Sequence, residues 1–86
     1  MIFAEGAQLR KIEENAFRKS GLTEVQIPAS VRIIGESTFY NCDNLSKVTF
    51  TENSQLREIE SCAFYNTRLT EIYIPASVQN IGFDAF

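Results

Sequence analysis

The chain has 86 residues and a formal net charge of −3, with 8 basic and 11 acidic side chains spread along it without a block of one sign. That balance sets aside a reader of phosphate backbones, which needs a basic stripe, and the 44% hydrophobic content sets aside a disordered chain. The chain has no His, the commonest general base and zinc ligand, and its two cysteines, Cys42 and Cys62, make no disulfide framework.

Apolar anchors recur in chain order. Leu9, Ile12 and Phe17 come first, followed by Leu22, Val25 and Ile27, then Val31, Ile34 and Phe39. Leu45, Val48 and Phe50 repeat the second group, and Leu56, Ile59 and Phe64 repeat the third. Leu69, Ile72 and Ile74, then Val78, Ile81 and Phe86, complete the series. The unit reads L-x-x-I-x-I, a short loop, V-x-x-I-x-x-x-x-F, and a second short loop. Leu22, Leu45 and Leu69 are 23 and 24 residues apart. A longer period of 47 lies over this one: residues 1–39 set against 48–86 give 20 identities in 39 pairs, with Phe3 on Phe50. Loops of alternating length make 47 the stronger period, because Ile27 to Val31 spans four positions whereas Phe50 to Leu56 spans six.

In L-x-x-I-x-I the last two anchors are two apart and so share one face of a strand. Val, Ile, Phe and Thr dominate these segments, and Pro28 and Pro75 close two of them. An interval of 23–24 residues is shorter than a βαβ unit of about 30 residues, but it lies within the leucine-rich-repeat range of about 20–29. The expected fold class is a repeat solenoid of α/β type, mostly β, whose coils each give one strand to a parallel sheet on the concave side. For the V-x-x-I segment the spacing predicts a short strand or bend, then one helical turn around Ala-Phe. Gly35 and Gly82 argue against a longer helix. A single coil buries too little apolar surface to fold alone, and about three stacked coils are needed. The chain divides into a partial coil over 1–21, coils over 22–44 and 45–68, and a partial coil over 69–86. Residues 1–8 lack a polar cap and Phe86 falls inside a unit, which reads as a fragment of a longer array in preference to a short protein whose open ends pair with other copies; in either case end-to-end self-association through uncapped ends is expected.

The run Leu22-x-x-Val25-x-Ile27-Pro28-x-Ser30-Val31-x-x-Ile34-Gly35-x-x-x-Phe39-x-x-Cys42 resembles the BspA-like leucine-rich-repeat family. Leu69-x-x-Ile72-x-Ile74-Pro75-x-Ser77-Val78-x-x-Ile81-Gly82-x-x-Ala85-Phe86 repeats it, and the likeness covers almost the whole chain. The middle unit departs from the pattern, with Thr51 where Pro would stand and a longer loop over 52–55. The resemblance implies a curved solenoid displayed at a cell surface or secreted. It also implies adhesion to protein partners, no cofactor and no shared catalytic residues, so no enzyme activity is expected.

The polar positions between strand anchors form two ladders, Glu24, Lys47 and Glu71, and Gln26, Thr49 and Tyr73. A concave sheet offers a broad binding surface, and Tyr73 would be its best anchor. The competing reading is a cross-strand charge ladder that serves only the sheet. Tyr40 and Tyr65, each following a Phe, are expected to cover the edge of the core with their hydroxyls wet, the alternative being contact residues on the convex side. Cys42 and Cys62 stand five positions out of register and read as unpaired thiols, and Asn44-Leu45-Ser46 matches a glycosylation triplet. Glu13, Glu14, Glu58 and Glu60 read as a solvated outer face without a pocket to shift a pKa. No run reaches the roughly 18 apolar residues of a membrane span, and Met1-Ile2-Phe3-Ala4-Glu5 does not read as an export signal.

Overall fold

A computed structural model describes residues 8–86. The alignment of Phe3 with Phe50, and the reading of residues 1–8 as uncapped (Gln8 apart), lie outside the described residues. Among the described residues there are six strands: β1 Lys11–Ile12, β2 Glu24–Ile27, β3 Ile33–Ile34, β4 Lys47–Phe50, β5 Glu58–Ile59 and β6 Asn80–Ile81. They form two sheets, both parallel. The L-x-x-I-x-I segments give β2 and β4, which pair Val25 with Val48 and Ile27 with Phe50. The V-x-x-I segments give the longer sheet, in the order β1-β3-β5-β6.

The second sheet makes the alternating loop lengths visible. Its register sets Lys11 against Ile33, Ile33 against Glu58 and Glu58 against Asn80, steps of 22, 25 and 22 residues. Parallel strands need a long connection, and here each connection is the rest of one repeat. Nearly all tertiary packing is therefore between a repeat and its immediate neighbours, as repeat proteins require.

After each V-x-x-I strand the structure replaces the expected helical turn with overlapping β-turns; no helix occurs among the described residues. The N–H groups of Ala16, Arg18 and Ser20 donate to the carbonyls of Glu13, Asn15 and Phe17, three residues back. Between them, the N–H groups of Asn15, Phe17 and Lys19 donate to Glu36, Thr38 and Tyr40 in the next repeat. An α-helix would send every donor four residues back. Here alternate donors are committed to the neighbouring repeat, which a helix cannot do. The third position of the first turn in each set has positive φ, as a type II turn demands: Asn15 at 60°, Ser37 at 57°, Cys62 at 59° and Asp84 at 52°. Lys19, Asn41 and Asn66 form a second such column, in which the Asn66 side-chain amide donates to Asn41 Oδ1 at 2.8 Å.

The core is a set of columns running through the stack. Ile12, Ile34 and Ile59 are buried in one, and Val31 and Leu56 in another. Phe17, Phe39, Phe64 and Phe86 form a continuous ring stack with centroid separations of 5.5, 5.2 and 5.4 Å and nearly parallel planes. Offset stacking of this kind adds about 0.5–1.5 kcal/mol per pair beyond the area buried. Tyr40 stacks on Tyr65 at 5.4 Å with the Arg18 guanidinium 4.8 Å from the Tyr40 ring, and Tyr65 is exposed. The serine of I-P-x-S-V clasps one repeat to the one before it: Ser30 Oγ donates to Leu9 O and Ser77 Oγ to Leu56 O, both at 2.6 Å.

Candidate functional site

Strand alternation sets the outward face of the two-stranded sheet. In β2 Val25 and Ile27 are buried while Glu24 and Gln26 are exposed; in β4 Val48 is buried while Lys47 and Thr49 are exposed. A one-residue slip would put the charged set inside, so burial fixes this register. Glu24 stands directly opposite Lys47, and Gln26 opposite Thr49. These four side chains lie together on one surface.

Glu71 and Tyr73 continue the ladders only in part. Residues 71–74 repeat the spacing of β2, yet they form no strand, and among the described residues no backbone hydrogen bond ties them to β4. Their flanks are held: the N–H of Arg68 donates to Leu45 O, and that of Gln79 to Arg57 O. Between these anchors an open groove of about 580 Å³ runs between β4 and the 70–73 segment, lined by Lys47, Thr49, Thr70, Glu71 and Tyr73. A second groove of about 500 Å³ continues past Phe50 and Thr51 to Ile74 and Pro75. Tyr73 borders both and is 91% exposed. Thr51, in place of the proline found after β2, has a buried Oγ1 with no hydrogen-bond partner and lines the second groove.

The grooves therefore combine unpaired strand edge, charge of both signs and a wet aromatic. Such a surface suits an extended polypeptide, which can supply backbone donors and acceptors as well as apolar contact. Sequence reasoning found the exposed ladder positions but missed Thr51. The signal for it was the absent proline, a feature of local chain shape at first sight.

The remaining candidates lie elsewhere. Cys42 is buried, with Sγ 3.1 Å from Phe17 O and 3.4 Å from Ser20 Oγ, whereas Cys62 is half-buried in the first positive-φ column; both thiols are free. Glu13 and Glu14 are exposed, and Glu60 Oε1 accepts from the Glu36 N–H at 3.2 Å. Among the described residues, no group of three or more His, Cys, Asp or Glu is placed to hold a metal ion. Asn44 is exposed.

The family model of the BspA-type leucine-rich-repeat region matches residues 3–86 in six copies. The chain belongs to the BspA-type leucine-rich-repeat family. Among solved structures, the pneumococcal vaccine antigen PcpA is similar to it over 98% of this chain at 41% identity, with a TM-score of 0.94. A leucine-rich cell surface protein from Faecalibacterium prausnitzii matches 86% of the chain at 37% identity and a TM-score of 0.77. The Treponema pallidum leucine-rich-repeat protein TpLRR matches 92% at 33% and 0.81. The chain spans only 21%, 19% and 37% of these proteins in turn. No curated protein matches it. Membership of this family fits the parallel sheets, the Phe column and the clasping serines, all of which arise from residues of the repeat. No helix of the described residues is long and apolar enough to cross a membrane.

Proposed function

We propose that the repeats wind as a leucine-rich-repeat solenoid and act as a protein–protein interaction module of a cell-surface or secreted adhesin-like protein. Coils over 22–44 and 45–68 form its middle, with partial coils over 1–21 and 69–86. A protein partner is engaged through Glu24, Gln26, Lys47, Thr49, Glu71 and Tyr73. The observation that carries this reading is the groove between β4 and the 70–73 segment, with a fully presented Tyr73 at its border. Tyr is favoured at such positions because it adds large contact area with little rotamer entropy to lose. The likeness to a vaccine antigen and to a cell surface protein supports a surface location. Binding rather than catalysis is the reading this family supports.

Replacing Glu24, Glu71 and Tyr73 together by Ala tests it. Retention of host-surface proteins on immobilised chain should fall about tenfold or more, the effect of losing one aromatic hot spot, while the circular dichroism spectrum stays the same. Equal retention by both forms would reject this face. The competing reading is a spacer that binds nothing, favoured by the 20 identities between the two halves, since spacer coils need only stack. Removal of one 47-residue period from a longer parent protein without loss of adhesion would support the spacer.

A further inference from the structure

Basic residues are spread along the chain, yet the fold gathers several of them in one row. Each strand of the four-stranded sheet is preceded by a position that stacks from repeat to repeat: Arg10 before β1, Arg32 before β3, Arg57 before β5 and Gln79 before β6. Backbone bonds fix this column. The N–H of Arg32 donates to Arg10 O at 2.7 Å, that of Arg57 to Arg32 O at 2.8 Å, and that of Gln79 to Arg57 O at 2.8 Å. Arg10 and Arg57 are exposed and Arg32 is half-exposed. The neighbouring column holds Lys11, Ile33, Glu58 and Asn80. Across these two columns Arg10, Lys11, Arg32 and Arg57 are thus set against one acidic residue, Glu58, although the whole chain carries −3. Among the described residues no ion pair or side-chain hydrogen bond engages Arg10, Arg32 or Arg57. Like charges in opposed positions of a sheet repel one another. The fold uses only the backbone at this position, and Gln79 fills it equally well. A row of arginines that costs the sheet something and bonds to nothing in it is accounted for by an anionic ligand.

We propose that this column binds a linear sulfated polysaccharide. A guanidinium pairs with an oxyanion through two parallel N–H donors, so each arginine suits one sulfate or carboxylate group. Neighbouring strands lie about 4.8 Å apart, and the three arginines therefore call for a ligand whose anionic groups follow one another closely along a line. An extended acidic peptide repeats its side chains on one face only about every 6.7 Å and falls out of step with the column. Single-stranded nucleic acid is held largely by bases stacked on aromatic rings, and neither column contains an aromatic side chain. What flanks the arginines instead is Ser30, Gln55 and Ser77, two positions earlier in each repeat, and Asn80 beyond Gln79. Their hydroxyl and amide groups suit the hydroxyls of a sugar. A polysaccharide sulfated on successive sugars supplies both the closely spaced anions and those hydroxyls. Contact is at the solvent-exposed surface, so binding is sensitive to salt. The column lies on the four-stranded sheet and shares no residue with the face of Glu24, Lys47 and Tyr73, so either surface can fail without the other.

Heparin is the probe. The 86-residue chain should be retained on immobilised heparin at low ionic strength and released by added salt, and no retention overturns the proposal. Arg10→Gln with Arg57→Gln should weaken binding several-fold with an unchanged circular dichroism spectrum. The slope of log affinity against log salt should fall by about one for each arginine removed. Lys19→Asn with Arg68→Ala takes the same charge from outside the column and should leave binding nearly unchanged. Equal losses from the two pairs overturn the column. Gln79→Arg adds a fourth rung and should tighten binding several-fold, a gain that misfolding cannot mimic. Asn44→Arg adds the same charge elsewhere, and an equal gain from it likewise overturns the column. Desulfated heparin, polyglutamate and an oligothymidine should each compete several-fold less well than heparin. Equal competition by any of them overturns the choice of a sulfated polysaccharide.

Discussion

The carbonyl oxygen of Ile12 lies 2.7 Å from the point where a Cβ on Gly35 would stand, and the N–H of Glu14 lies 2.8 Å from it. Gly82 meets the backbone of Ser61 in the same way, at 2.6 Å. Glycine is required at both positions by the close approach of one repeat to the backbone of the one before. Gly35→Ala is therefore expected to destabilise the fold by about 1–3 kcal/mol, the range for overpacking where the neighbour cannot yield. Gly21, with nothing within 4 Å of its added Cβ, is the control: Gly21→Ala should change the urea midpoint little or raise it.

Cys62 occupies a left-handed backbone position, φ 59°, that Asn fills at residue 15. A side chain other than Asn or Asp there costs conformational energy, of order 1 kcal/mol. Cys62→Asn should thus raise the thermal midpoint, by a few degrees for a domain of this size, with the amide reaching solvent as at Asn15. A lowered midpoint would show that thiol packing outweighs the backbone preference.

The serine clasps are expected to act independently. Ser30 and Ser77 lie in different repeats and each donates to a carbonyl of the preceding one. Either Ser→Ala change should cost about 0.5–1.5 kcal/mol, the net value of one hydrogen bond, with the two costs adding in the double variant. Strong non-additivity in denaturant unfolding would mean that the clasps share a partner or a strained segment.

Phe39 is fully buried and stacks on both Phe17 and Phe64. Its truncation to Ala is expected to cost about 3–5 kcal/mol. A chain of this length has a total stability of comparable size, so Phe39→Ala should be largely unfolded by circular dichroism at room temperature. Phe39→Leu, which keeps most of the volume, should fold with a lowered midpoint.

Much of the repeat was legible before any coordinates. The pairing of Val25 with Val48 follows from a constant step between Leu22 and Leu45, because stacked repeats bring like positions together. The exposed positions Glu24, Gln26, Lys47 and Thr49 follow from strand alternation. The four-stranded ladder of V-x-x-I segments was harder to see, since strands of two residues are too short to show a period. The turns were misread as helical because Leu9, Ile12 and Phe17 have a spacing compatible with a helix. The contrary signal was there: Asn41 and Asn66 stand one repeat apart, and Asn tolerates positive φ.

Sequence alone determined that like residues stack on like residues, since a 47-residue period with a 23–24-residue unit inside it leaves each coil no other partner for its apolar anchors. Only tertiary structure decided where the stack closes and where it stays open. Glu71-Ile72-Tyr73-Ile74 has almost the same side chains as Glu24-Val25-Gln26-Ile27, yet β2 pairs with β4 and the 71–74 segment leaves a groove. Pairing is a property of two backbones and the loops that hold them, and the loop over 51–55 differs from the Pro28–Ser30 turn that follows β2. Local residue identity carries no information about that distance, which is set by how the neighbouring repeat packs.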